Sequence, residues 1–411
     1  MRAFWADLPR EGRWVLATTA VQTLGRGLTL PFTIIYLHEV RGIDLDVAGI
    51  LMAWIALVAF LVTTPAGAAT DRFGARAVSL FGAVTNLVGV VVLALATTVP
   101  VILVATTLMG VSGVSWPAFN SLIAAIVKGP ARQTFFGINF SLVNLGIGVG
   151  GLVAGAFVDV HRPGTFIAIY LLDASSMLVP ISLLLGPLRH VHGRAERPEN
   201  DDNPTSYWGI VRQPAFAWLL VLIVVSNVIG YGQMEAGMPA FARQASHVST
   251  RVIGWAFAVN CAIIVLAQFT VLKRISGRRR TRVLVAMGAV WALAWLLIGS
   301  TGLLPGGLYA AAGVIGFHLV FGFGETLLQP SIPAMTNDMA PDHLRGRYNA
   351  LASAGFQSGG VIGPVVAGFL LGHRLTGLYI GLLVAGCVAV ALIALGLEQR
   401  VSPAVNGVIP G

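Results

Sequence analysis

The chain has 411 residues, of which 56% are hydrophobic and 10% charged, and its formal net charge is +9. A soluble domain carries about a quarter charged residues, so a composition this oily excludes an ordinary soluble protein and points to a membrane. The basic excess is not a nucleic-acid footprint, because no polar soluble face is available to carry one.

The first residues, MRAFWADLPREGR, are too polar for a signal-peptide core, and no small-residue cleavage site follows the first apolar run. They are expected to remain as a cytoplasmic tail. A helix crosses a hydrocarbon core about 30 Å thick with roughly 20 apolar residues. Twelve such runs are predicted, at 14–38, 47–70, 77–98, 101–126, 135–158, 165–187, 215–240, 250–272, 282–301, 306–336, 347–371 and 376–396. The short alternating segments of an outer-membrane barrel are missing.

In the first run Gln22, Arg26, Thr29 and Thr33 share one helical face. Arg26 lies about 18 Å into that span at 1.5 Å per residue. The connection between the second and third runs reads GAATDRFGAR. Gly67 would let helices approach, Gly74 would form the tight turn, and Asp71 would accept from an arginine or sit at a helix N-terminus, beside Arg72 and Arg76. The fifth run, GINFSLVNLGIGVGGLVAG, holds Gly137, Gly146, Gly150, Gly151 and Gly155. Small residues so placed allow close packing between membrane helices. Asp173 falls in the sixth run.

After residue 187 comes the longest polar stretch, a cytoplasmic linker over 188–214 in which TSYWGIVRQ suits a short amphipathic helix. It separates a first half, 1–187, from a second, 215–411. The halves repeat at an offset of 213: Pro117 and Pro330, Arg132 and Arg345, Gly146 and Gly359, Gly150 and Gly363, Gly155 and Gly368. The expected fold is therefore an all-α integral membrane protein of two pseudo-symmetric six-helix halves in parallel repeat. That is a transporter architecture with its site between the halves. In the seventh run Asn227, Tyr231 and Glu235 stack at i, i+4 and i+8, and in the tenth His318, Glu325 and Gln329 share a face. Cys261 and Cys387 both fall inside runs and are expected to be buried and unpaired.

With both termini cytoplasmic, the inner segments hold 20 of the 26 basic residues. The outer loops hold Arg41, Arg162, Arg243, Arg251 and Arg374, as the positive-inside rule expects.

The connection Gly67-x3-Asp71-Arg72-x-Gly74-x-Arg76 resembles the loop 2–3 signature of the major facilitator superfamily. Its second-half counterpart, LKRISGRRRTR, keeps Gly277 and Arg279 but has Arg274 in place of the aspartate. The fifth run resembles the glycine-rich signature of drug/proton antiporters, although Gly151 replaces a proline and Ala154 a glycine. The fourth run departs further, with Thr106 where those antiporters carry an arginine. GFGETLLQP, around Glu325, resembles the tenth span of proton-driven multidrug transporters. The resemblance implies that spans one, four, seven and ten line a central cavity, on which Arg26, Glu235 and Glu325 fall. Asp173 lies at its edge or in a helix contact.

A charge near the centre of a spanning helix is unfavourable by about 2.5–3.5 kcal/mol, so it normally faces a bundle interior or a wet cavity. Glu325 is expected to carry the proton, with Glu235 sharing the task or attracting cations. A static ion pair of Arg26 with one glutamate is the competing role. Gln22, Arg26, Thr29, Asn227, Tyr231, Asp173, His318 and Gln329 are the expected cavity residues. Phe32, Tyr36, Tyr231, Met234, Met238, Phe321 and Phe323 would supply an adaptable apolar surface.

The expected function is proton-coupled export of amphipathic or cationic drugs or metabolites by alternating access. A nutrient importer coupled to protons or sodium is the alternative, and a receptor-like member of the fold a weaker one. No Walker loop, metal-ligand spacing or nucleophile elbow occurs, so no enzyme activity, catalytic residue, cofactor or metal is expected. The expected partners are a small-molecule substrate, protons and membrane lipids, with no nucleic acid. The chain is expected to act as a monomer in the plasma (cytoplasmic) membrane.

Overall fold

The computed structural model describes residues 8–127, 131–191, 207–275, 277–341 and 344–408. Among the described residues the only regular structure is helical, and ten helices are long and apolar enough to cross a membrane. In chain order the helices are α1 Arg10–Thr29, α2 Leu45–Phe73, α3 Ala75–Leu95, α4 Val99–Val111, α5 Ser115–Ile126 and α6 Ala131–Phe157. Then follow α7 Pro163–Ser176, α8 Leu178–Leu185, α9 Tyr207–Val211, α10 Pro214–Ile229, α11 Tyr231–Met234 and α12 Gly237–Gln244. The last five are α13 Thr250–Ile275, α14 Arg280–Thr301, α15 Gly307–Met339, α16 Arg345–Gly372 and α17 Thr376–Glu398.

Two of the twelve expected runs do not count among these ten long apolar helices. The first is helical, but its arginines, Gln22 and threonines leave α1 too polar to qualify by composition. Pro31, which has no N–H to donate, opens a 3₁₀ turn over Leu30–Phe32, and a π-helical segment follows at Tyr36–Val40. The fourth qualifies only as the shorter apolar helix Val99–Val114, because a 3₁₀ turn at Ser112–Val114 separates α4 from α5.

The chain divides into two compact units, Met1–Ile43 with Leu51–Asn200, and Asp44–Ile50 with Asp201–Gly411. In the first, α1 packs on α6 and α7, and α3 packs on α4 and α7. In the second, α10 packs on α16 and α17, and α14 packs on α15 and α17. These are the same pairings taken span by span, which is what an internal repeat requires. The repeated glycines make the pairing close. A side chain on Gly146 would strike Thr23 of α1, and one on Gly150 would strike the Leu24 carbonyl. Their counterparts behave alike, since Gly359 lies on the Asn227 carbonyl and Gly363 on Gly232. Gly151 and Gly155 are buried in α6. The side chains of Gly67, Asp71 and Gly137 lie outside the described residues.

The turn between α2 and α3 is made by Gly74 at φ +90°, and Gly277 at φ +73° makes the corresponding turn before α14. Both angles fall where a Cβ is strained, so glycine is required at each. Arg76 donates to the Leu184 carbonyl at 2.9 Å, while Arg72 is exposed over the Phe73 ring. In the linker, Tyr207–Val211 forms the short helix expected there, with Trp208 exposed and Ile210 buried.

The seventh span is not one helix. It breaks at Gly230 (φ −105°, ψ −97°) and again near Ala236, giving α10, α11 and α12. The break brings Gly232 against Gly359 and seats Gly230 on the Trp291 ring. It also frees the Val228 carbonyl, which accepts from Gln233 Nε2 at 2.9 Å, while Tyr379 donates to Gln233 Oε1 at 2.9 Å. The expected stripe of Asn227, Tyr231 and Glu235 on one continuous helix is corrected by this interruption, and its three members have different surroundings.

Candidate functional site

Each unit carries intramembrane charge of its own. In the first, Gln22 and Arg26 of α1 line a cavity of about 330 Å³, together with Asn86, Ser112 and Asn139. Arg26 is exposed and has no acid within ion-pair distance among the described residues. The lower part of the same face turns away from this space. Thr29 is buried and donates to Asp173 Oδ2 at 2.8 Å, and Thr33 accepts from the Tyr170 hydroxyl at 3.1 Å. Asp173 is 5% exposed, with its Oδ1 buried and unpartnered, and the Arg26 charge acts on it. Asp173 is thus held in a contact between α1 and α7. Thr106 is buried, and its hydroxyl returns to the Ile102 carbonyl of its own helix at 3.0 Å.

In the second unit Glu325 projects from α15 and is 6% exposed. Its Oε2 accepts from the Asn260 amide of α13 at 2.7 Å, and the Tyr231 hydroxyl lies within electrostatic reach of its carboxyl. That hydroxyl in turn accepts from Gln329 Nε2 at 2.7 Å. Three helical segments therefore converge on one carboxyl, and every donor they offer it is neutral. Among the described residues no basic side chain lies within ion-pair distance of Glu325.

Two glycines let Trp291 hold this cluster in shape. Gly324 packs on one edge of the indole and Gly230 on another, and the indole N–H donates to the Phe321 carbonyl at 3.1 Å. The indole also stacks on Phe321 at 4.5 Å between centroids. Beside the cluster lies a cavity of about 170 Å³ lined by Asn227, Gln329, Thr336, Asn349 and Phe356. Asn227 donates to the Ile223 carbonyl at 2.8 Å, leaving its Oδ1 buried and unpartnered.

Other expected residues stand apart. Glu235 is exposed at the break between α11 and α12, and it does not join the Glu325 cluster. His318 is fully buried, donates from Nδ1 to the Val314 carbonyl at 3.0 Å, and packs against Phe257 and Phe317. Of the expected apolar surface, Tyr231 is half-buried and Phe323 is exposed. Phe32, Tyr36, Met238 and Phe321 are fully buried and Met234 nearly so. Tyr36 instead donates to the Ala94 carbonyl at 2.8 Å and accepts from Arg41 at 2.8 Å, satisfying the frayed end of α3.

Asn260 is the residue that the sequence reading missed. It is an uncharged amide inside an apolar run, and a search confined to charges passes over it. An amide in a spanning helix is itself a signal, since it must find a partner away from water.

Three comparisons bear on the whole. The family model described as Major Facilitator Superfamily matches residues 15–321 and 247–410. The tetracycline resistance protein, class C, of Escherichia coli is 25% identical over 82% of this chain and 85% of its own. The quinolone resistance protein NorA of Staphylococcus aureus (strain MRSA252) is 23% identical over 90% of this chain and 92% of its own. A crystal structure of a POT family transporter in complex with 5-aminolevulinic acid shares the fold, with a TM-score of 0.80, 16% identity and 97% of each chain covered. A bundle of membrane-spanning helices with repeated pairings, glycine turns at matching places, and a family match running nearly the length of the sequence lead to one assignment: the chain belongs to the Major Facilitator Superfamily of membrane transporters.

Proposed function

We propose that this transporter exports amphipathic or cationic small molecules in exchange for protons, with Glu325 as the group that carries the proton. The observation that carries the reading is the setting of Glu325: buried, hydrogen-bonded to Asn260, beside Tyr231, and with no basic side chain within ion-pair distance among the described residues. A carboxylate in such a place bears its charge at a cost, and binding a proton or a cation removes that cost. A proton and a cationic substrate can therefore replace one another at the same carboxyl, which is the requirement for exchange. Gln329 and Tyr231 join the carboxyl to the small cavity at Asn227, where a substrate group would be sensed. Glu235, exposed at the helix break, would draw cations in.

The two resistance proteins support export, as the likeness covers most of each chain. Charge asymmetry supports cytoplasmic termini, and the proposal takes the protein to act as a monomer in the plasma membrane. On the other side of the exchange, Arg26 and Gln22 would face the substrate path from their own cavity.

The test uses proteoliposomes with an imposed pH gradient, an internal pH dye and a panel of lipophilic cations. Glu325→Gln keeps an oxygen for Asn260 to donate to, so the variant is expected to fold and to bind substrate. Substrate-triggered proton movement should be lost. Equal proton movement in wild type and variant would transfer the role to Glu235 or Asp173. No proton movement in wild type with any compound would overturn proton-coupled export and bring forward the importer.

A further inference from the structure

The second-half copy of the loop 2–3 motif has no part in the mechanism above, and its departures from the first copy are specific. Thr270 stands where the first half has Gly67, and Arg274 where it has Asp71, while the glycine turn is kept at Gly277. These departures share one place. Thr270, Arg274, Arg278 and Arg282 all line a groove of about 860 Å³ between α13, α14 and α15. Its remaining walls are apolar and include Ile263, Leu266, Val290 and Phe323. Leu266 is 76% exposed, so the groove opens sideways from the helices.

The charge at its mouth is strongly one-sided. Between 273 and 282 the chain carries six basic residues, and among the described residues two acids are set against them. Glu398 accepts from Arg279 at 2.5 Å and forms an ion pair with Arg282 at 2.6 Å, and Asp338 accepts from Arg280 at 2.5 Å. Arg274 and Arg278 are exposed and have no acid within ion-pair distance among the described residues. From Arg274 back to Ile263 the apolar wall is about 16 Å long at 1.5 Å per residue. A long apolar trough ending in two free guanidinium groups matches a molecule with an acyl tail and a phosphate head.

We propose that this groove is a binding site for one anionic phospholipid, with its phosphate on Arg274 and Arg278 and an acyl chain along Leu266 and Phe323. The groove is not a second site for the exported compounds, because cationic molecules are repelled from its mouth. In the first half an aspartate occupies the position of Arg274, so the repeat has been put to two uses.

The full chain in detergent is incubated with equal amounts of phosphatidylglycerol and phosphatidylcholine, and native mass spectrometry reads the lipid retained. Wild type is expected to retain the anionic lipid in about tenfold excess, since each basic group near a lipid phosphate adds several-fold in affinity. The R274Q/R278Q double variant should lose that excess, and Arg189→Gln, an exposed arginine of the other unit, should keep it. Leu266→Trp, which fills the groove and leaves every arginine in place, should lower retention of the anionic lipid to the level of the double variant. Equal retention of both lipids by wild type, or an unchanged preference in the double variant and in Leu266→Trp, overturns the proposal. Displacement of the lipid by glycerol 3-phosphate also overturns it, by showing a phosphate site that needs no acyl chain.

Discussion

The Asn260 amide, 2.7 Å from Glu325 Oε2, is the contact on which the candidate site most depends at the scale of single residues. Removing one partner of a buried hydrogen bond leaves the other polar group unsatisfied, at about 1–3 kcal/mol. Asn260→Ala is therefore expected to lower the thermal unfolding temperature in detergent and to weaken coupling, whereas Asn260→Gln should retain part of each. If Asn260→Ala unfolds and transports like wild type, the amide does not hold Glu325. The glycine before the carboxylate makes a second case. A methyl group on Gly324 would collide with the Trp291 indole, 2.5 Å from its Nε1. Overpacking of this kind costs about 1–3 kcal/mol. Gly324→Ala should thus destabilise the protein and disturb coupling together, while Trp291→Phe with Gly324→Ala should recover some stability. That Glu325 mattered was legible in the sequence, as a lone carboxylate in an apolar run. That Asn260 holds it beside Tyr231 was not, because these residues come from different helices and no spacing along the chain encodes their meeting.

At the scale of helices the repeated glycines decide how near the elements come. Gly359→Ala would place a methyl 2.5 Å from the Asn227 carbonyl oxygen, and Gly146→Ala would push on Thr23. Both should lower thermal stability, by about 1–3 kcal/mol each. Gly381, in α17, has open space around its Cβ position, so Gly381→Ala should leave stability unchanged or slightly raised. Equal losses at all three sites would show that close approach is not what the glycines provide. The start of α14 is capped from far along the chain. Asn406 accepts with its carbonyl from Arg280 N at 2.8 Å and with its Oδ1 from Thr281 N at 3.0 Å. This satisfies two of the orphan donors of a helix N-terminus, and Asn406→Ala is expected to cost about 1 kcal/mol, read as a lower unfolding midpoint. The glycine matches at an offset of 213 announced the close packing beforehand. The break of the seventh span was not announced, because Gly230 in an apolar run is ordinary in a membrane helix. The break coincides with the Trp291 ring against Gly230 and the Gly359 backbone beside Gly232.

For the whole molecule, the testable quantity is orientation. Cys261 and Cys387 are buried, so the wild-type chain offers a low background for a membrane-impermeant thiol reagent. A cysteine placed at Tyr207 should react only from the cytoplasmic side, and one at Leu303, which is 82% exposed, only from outside. The reverse pattern would invert the topology argued from the basic residues. Labelling of both from one side would break the count of spans between them.

The helical membrane fold, the repeat, the two glycine turns and the short list of intramembrane charges could all be read from the sequence. Each of these is a local or periodic property: length and hydropathy select a spanning helix, a positive φ selects glycine, and insertion cost makes a buried charge rare. Tertiary packing decided which charge has which surroundings. It gave Arg26 an open cavity and set Asp173 against Thr29. It left Glu235 outside at a helix break and enclosed Glu325 among neutral donors. The reason is physical, since a charge in a membrane is tolerated only through its partners, and those partners arrive from helices up to 144 residues away.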